Sequence, residues 1–482
     1  MIDVVIVGSG FAGLGAAVAL EGAGRRNLLV LEKGDSVGGT WRDNTYPGCA
    51  CDVQSHLYSF SFAPNPHWTR TFARQPEIRA YLEGVADRYR LRDRIRFGAQ
   101  VTDAEWDGAG WVVGTADGQV VRARVLVWAT GPLHIPQIPD VDGLESFTGA
   151  VFHSARWDHD HDLRGRRVAV IGTGASAVQF VPQVQRHAAQ LTLFQRTAPW
   201  VLPKPDRPIP DALRGLYRAL PVAQKVARAL VYGRNEMLVG GFRNPRRMRV
   251  IERVARAYLA HAFAGRPDLL AAATPDFTIG CKRILLSNDY YLALRKPNVD
   301  VVTSAITRVT ATGVVTADGV EHPLDTIVFG TGFKVGEGMA EGVTIVGRDG
   351  RKIHDVWADG PEALLGTTVA GFPNLFTMIG PNTGLGHSSM VYMVESQTRY
   401  LLDALRTVDA AGAVAIDTRQ DRQDAFNAEL QRRFDGSVWT SGGCASWYLD
   451  AQGRNRTLWP GYTFDFRRRT RRIDPEDHEL IG

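Results

Sequence analysis

Cysteine is scarce in this chain: four in 482 residues, at positions 49, 51, 281 and 444. Their spacing gives neither the dense pattern that staples small secreted domains nor the paired ligands of a zinc site. No disulfide framework and no metal centre are therefore expected. Cys49 and Cys51 are one residue apart, too tight for the usual redox pair. Long apolar runs are also missing: none reaches the ~18 residues that a membrane span needs. A buried-type strand is expected from Ile2 onward, which leaves no room for a leader peptide, and the chain reads as cytoplasmic. Excess charge is small, +5, and sits largely in two arginine-rich stretches, 243–256 and 467–472. No nucleic-acid motif accompanies them. They read as a solvated helix face and a basic tail, so neither nucleic acid nor membrane is expected as a partner. What remains, 44% hydrophobic and 22% charged residues, is ordinary globular composition with length for two or three domains.

Glycine is abundant, and two clusters of it carry information. Gly8-Ser9-Gly10-Phe11-Ala12-Gly13 follows the apolar run Val4–Val7 and leads to Glu32. Gly172-Thr173-Gly174-Ala175-Ser176-Ala177 follows Val168–Ile171 and leads to Arg196. Each terminal residue lies 24 positions after the first glycine of its motif. The pattern predicts a strand, a tight turn, a helix and a second strand that ends at a ribose. The glycines let backbone approach a pyrophosphate, and the helix N-terminus offers free N–H groups to it. Ala177, in place of a third glycine, still permits close helix–strand packing. The terminal charges then separate the ligands. A carboxylate accepts from a bare ribose 2′-OH, whereas a guanidinium pairs with a 2′-phosphate. Glu32 facing that phosphate at about 4 Å would cost roughly 4 kcal/mol per unit charge at a dielectric near 20. The first site should hold FAD or NAD(H), and the second should prefer NADPH.

The expected fold is α/β, with two Rossmann-like dinucleotide-binding domains and a helical insertion in the second. Residues 1–146 form the first part of the FAD domain, and 159–205 with 276–365 form the NADPH domain. Residues 206–275, rich in Ala and Arg, form the helical insertion. Residues 366–482 return to the FAD domain and include an aromatic C-terminal loop. The strand-to-Thr-Gly step at Ala129-Thr130-Gly131 has a mirror at Gly330-Thr331-Gly332.

Two dinucleotide units alone fit a disulfide reductase, a peroxidase-like enzyme or a monooxygenase. The reductase needs two cysteines four residues apart soon after the first unit, where this chain has Trp41 and then Cys49 and Cys51. The segment Phe147-Thr148-Gly149-Ala150-Val151-Phe152-His153-Ser154-Ala155-Arg156-Trp157-Asp158 fits F-x-G-x-x-x-H-x-x-x-W-[PD] throughout. It resembles the signature of Baeyer–Villiger flavin monooxygenases and lies just before the second fingerprint, as in that family. Gly39-Thr40-Trp41, Tyr46-Pro47-Gly48 and Asp52 fit a further family motif. With both fingerprints, the resemblance runs over essentially the whole chain.

The resemblance implies roles. Arg283 of the Lys282-Arg283 doublet faces the flavin and stabilises a C4a-peroxyflavin. Asp52 pairs with Arg283. Lys282, together with Arg196 and Thr197 of Phe194-Gln195-Arg196-Thr197, holds the NADPH 2′-phosphate. Thr40, Trp41, Tyr58 and Val101 match FAD positions, beside Gly8, Gly10, Gly13 and Glu32. Gly172, Thr173, Gly174, Ser176 and Ala177 serve NADPH, and Trp447 matches the tryptophan of a mobile loop near NADP. His153 reads as a linker residue that couples domain positions. The implied reaction inserts one oxygen atom of O2 beside a ketone carbonyl to give an ester or lactone, with homo-oligomer formation left open. Two readings compete: a relative that oxidises sulfur or nitrogen, and a non-catalytic NADPH sensor. A sensor has no use for the Asp52, Lys282 and Arg283 set.

Overall fold

The structure, a computed structural model, describes residues 1–335 and 342–482. The chain opens with β1 (Ile2–Val7), helix α1 (Phe11–Gly22) and β2 (Leu28–Leu31). Val4, Val5 and Ile6 are wholly buried, as a parallel strand covered on both faces requires. Then come β3 (Ile95–Arg96), β4 (Val101–Trp106), β5 (Trp111–Thr115) and β6 (Val120–Trp128). β3, β2, β1 and β6 pair in parallel, while β4, β5 and β6 form an antiparallel meander at the other side. Leu375–Thr377 also joins this sheet, parallel to the end of β6.

The second sheet is parallel throughout. Its centre is β8 (Arg167–Ile171), flanked by β9 (Gln190–Phe194) and by Thr326–Phe329, with Val299–Val302 at one edge. The other edge is β7 (Ala150–His153), which lies inside the stretch expected to link the two units. A parallel edge strand has no tight turn beside it to mark it in a sequence. His153 is buried, and its Nδ1 accepts the Ala155 N–H at 3.1 Å. Thr344–Val346 already pairs with β4 of the first sheet, ahead of the return expected at residue 366. Between the sheets' strands, helices span Asp211–Ala219, Pro221–Glu236, Val239–Phe242, Pro245–Ala262 and Pro267–Ala273.

The two fingerprint turns are packed alike. A Cβ on Gly8, at φ +102°, would lie 2.7 Å from the Ala129 carbonyl oxygen, and one on Gly172, at φ +107°, 2.6 Å from that of Gly330. Each first glycine therefore presses on the Thr-Gly step of its own unit. The third positions differ. A Cβ on Gly13 would lie 1.9 Å from the Gly8 oxygen. Ala177 carries a Cβ because Gly330 opposite has none; adding one there would bring it to 3.1 Å from that of Ala177.

One expectation fails in the fold. Cys281 and Cys444 form a disulfide, their Cα atoms 6.1 Å apart. They are 163 residues apart in the chain, so no local spacing pattern announces them. Their approach comes from the C-terminal segment crossing the 278–281 turn, where Thr278 N–H donates to the Gly442 carbonyl at 2.9 Å. Cys49 and Cys51 are free and buried.

Candidate active site

A cleft of about 280 Å³ opens where β1 meets α1. Gly8, Gly10, Glu32, Thr40, Trp41, Tyr58 and Val101 all line it. Gly13 does not; it packs beneath Gly8. Gly10 precedes α1 without any side-chain cap, so the first-turn N–H groups are left for an anion. The Trp41 indole N–H donates to the Tyr58 hydroxyl at 3.0 Å and holds the far wall. The bare glycine backbone and uncapped helix end fit a pyrophosphate. Glu32 fits the ribose end.

Glu32 is fixed by protein groups alone. Its Oε2 accepts from Ser9 N–H and Oγ–H at 2.8 and 2.7 Å. Its Oε1 accepts from Gly34 N–H at 2.8 Å and from Arg42 Nη1 at 2.7 Å. Burial raises the carboxyl's pKa, but the Arg42 charge and these hydrogen bonds outweigh it, and the net shift is downward. Arg42 follows directly after Trp41 in the matched motif, yet nothing in the sequence indicated its ion pair with Glu32.

The second turn is open to the surface. Gly174 is the exposed N-cap of the helix Ala175–Gln185, again without a side-chain cap. Thr173 Oγ donates to the Thr197 carbonyl at 2.9 Å and ties the turn to the end of β9. Arg196 is exposed and Lys282 half-buried. Burial lowers the Lys282 pKa and the nearby Arg196 charge lowers it further. Neither cation has an ion-pair partner among the described residues. The Asp276 charge acts on Lys282 in the opposite sense. Lys282 also lies 5.0 Å over the Phe277 ring.

Asp52 and Arg283 meet between the two turns. The loop that carries Asp52 is clamped to the second unit: Gln179 accepts from Ala50 N–H and donates to its carbonyl, both at 3.0 Å. Arg283 leads into Leu285–Leu286, which pairs with Val201–Leu202 just beyond β9. Its Nε donates to Asp52 Oδ2 at 2.7 Å and its Nη1 to the Leu385 carbonyl at 2.9 Å. Both side chains keep about one-third of their surface exposed, 32% and 28%. Nη2 has no protein acceptor among the described residues. The Asp52 charge raises the Arg283 pKa against the opposing effect of burial. Burial raises that of Asp52, but Arg283 prevails and lowers it. Each partner therefore favours the ionised form of the other.

Two further residues complete this region, and sequence reasoning found neither. Lys204 Nζ donates to the Cys51 carbonyl at 3.0 Å and lies 5.1 Å over the Phe72 ring. Its only flag was a place between two prolines. Tyr448, buried, lies within electrostatic reach of Arg283 and Asp52. Trp447 itself is 55% exposed and packs edge-on against Tyr448 at 4.6 Å. Of the two, Tyr448 is the one within electrostatic reach of the ion pair.

Comparison with known proteins gives this arrangement a context. A family model described as pyridine nucleotide-disulphide oxidoreductase matches residues 5–209, which span both fingerprints. A Baeyer–Villiger monooxygenase of Streptomyces coelicolor is 53% identical over 484 aligned residues, covering 100% of this chain and 93% of its own. One from Pseudomonas aeruginosa is 50% identical and covers 99% and 91%. Among solved structures, an oxidised steroid monooxygenase bound to NADP superposes with a TM-score of 0.89 at 33% identity, covering 99% of each chain. A closed cyclohexanone monooxygenase gives 0.90 at 30%, covering 100% and 99%. On identity of this extent along its full length, the chain belongs to the Baeyer–Villiger monooxygenase family.

Proposed function

We propose that this enzyme, with FAD and NADPH as cofactors, inserts one atom of O2 beside a ketone carbonyl to give an ester or lactone. Arg283 is the residue on which the reaction depends. FAD, once bound, supplies reduction by NADPH and activation of O2 at its ring system. Everything else is the work of side chains. FAD binds along the β1–α1 cleft, with its pyrophosphate at Gly8–Gly10 and its ribose at Glu32. NADPH binds at Gly172–Ala177, with its 2′-phosphate between Arg196 and Lys282. The adjacent residues Lys282 and Arg283 thus serve different cofactors.

The carrying observation is the Arg283–Asp52 pair set between the two turns. Oxygenation of a carbonyl builds negative charge on oxygen, and a fixed cation in a water-poor site stabilises that charge without reorganising. Asp52 and the Leu385 carbonyl hold two edges of the guanidinium, leaving Nη2 for the reacting oxygen. Lys204 adds a second positive charge, so the trio bears one net positive charge and does not cancel. The test is NADPH consumption against a panel of ketones, with products identified by mass spectrometry. Ester or lactone bearing one atom of 18O2 is expected. Sulfoxides or N-oxides with no ester from any ketone would replace this reading with heteroatom oxidation.

A further inference from the structure

The helix Pro221–Glu236 carries several polar residues on its inner side. Its polar residues Gln224, Asn235 and Glu236 are buried. Arg228 turns inward as well and donates through Nη1 to the carbonyls of His56 and Ser59, both at 2.8 Å. Val231 and Tyr232 pack against the core, but other apolar residues face outward. Val222, Val226 and Leu230, spaced four apart, make one line along the outer face; Leu230 is 70% exposed, and Met237 continues the line at 71%. The preceding helix, Asp211–Ala219, packs against this one. Leu216 on it and Leu220 just beyond its end are each nearly half exposed. A lone exposed leucine needs no explanation. Six apolar side chains outside, beside a helix that turns Gln224, Arg228, Asn235 and Glu236 inward, form a face made to be covered.

We propose that this face seats on an anionic membrane surface, lying in the headgroup layer without crossing it. The charge around it selects that occupant. Residues 211–262 contain eleven Arg and Lys but three Asp and Glu, a net +8 against +5 for the entire chain. Of those three acids, Glu236 is buried against His387 and Thr463, and Glu252 pairs with Arg256. Arg218, Lys225 and Arg234 are exposed and have no ion-pair partner among the described residues. An apolar stripe flanked by unpaired cations matches acyl chains beneath acidic headgroups. A second copy of the chain would bring the same positive charge against itself, which opposes pairing through this face. No described helix is long and apolar enough to cross a membrane, so contact is with the surface only. The arginine-rich stretch, expected to be a solvated face, becomes the basic flank of a lipid-facing one. The inference does not rest on the proposed reaction.

The experiment is sedimentation of the FAD-loaded full chain with phosphatidylcholine vesicles, with and without about one-third phosphatidylglycerol. The protein should pellet with the anionic vesicles, stay largely in solution with the neutral ones, and be released by high salt. The double substitution Val226→Glu with Leu230→Glu lies wholly on the outer face. It should lower the partition coefficient at least about tenfold while NADPH oxidation in solution remains unchanged. Wild-type protein that stays in the supernatant with anionic vesicles overturns the proposal. So does a wild-type dimer that the same double substitution splits, which would make a second copy the occupant.

Discussion

At the scale of single residues, the site rests on which charges are paired and which are left over. Arg283 is paired, yet its Nη2 has no protein acceptor among the described residues. Replacing it with alanine should leave flavin reduction by NADPH intact while ester formation falls by about a hundredfold or more. Stopped-flow reduction traces alongside product yields check this, and an unchanged yield removes Arg283 from the proposed role. Arg196 and Lys282 are left over. Arg196→Ala should lower the preference for NADPH over NADH by about 10- to 100-fold, the worth of a charge-assisted hydrogen bond. Steady-state kcat/KM with both cofactors is the measurement, and undiminished preference would put the phosphate elsewhere. The residues that sequence revealed at this scale are those lying within a local motif. Arg42, Lys204 and Tyr448 owe their positions to contacts between distant segments. Lys204, for example, reaches Cys51 across 153 positions, and no spacing rule spans that.

At the scale of elements, strand, turn and helix could be read twice over, because a dinucleotide turn is a local problem with few solutions. What could not be read is how the second unit tolerates Ala177. Its Cβ occupies room that Gly330 leaves vacant, and Gly330 belongs to another strand's end. Gly330→Ala should therefore destabilise the protein by roughly 1–3 kcal/mol through overpacking. Adding Ala177→Gly should restore part of the loss, apart from a helical glycine's own cost of up to about 1 kcal/mol. A double-mutant cycle on denaturant midpoints reads the coupling, and strict additivity would mean that the two sites do not share that space. Edge strands were the other illegible elements. Ala150–His153 sits within a motif whose fixed residues suggest a linker, and its pairing with Thr326–Phe329 depends on chain 176 residues away.

At the scale of the whole molecule, acid sensitivity follows from buried imidazoles. Burial lowers the pKa of His153 and of His478 from 6.5 to about 4. Between those limits the unfolded chain binds the proton and the folded one does not. Stability is thus complete above pH 6.5 and declines as pH falls toward 4. By pH 5 each group should cost about 2 kcal/mol. Thermal midpoints of the FAD-loaded protein should hold near pH 7.5 and drop as pH falls through 6.5 to 5, and a flat profile would contradict the burial argument. The Cys281–Cys444 bridge also acts over the whole chain, since it joins the residue before Lys282-Arg283 to the residues before Trp447-Tyr448. The C-terminal loop is in effect on a short leash. It can hinge about its anchored start but cannot travel away from Lys282 and Arg283, which it adjoins. A thiol reductant would lengthen the leash.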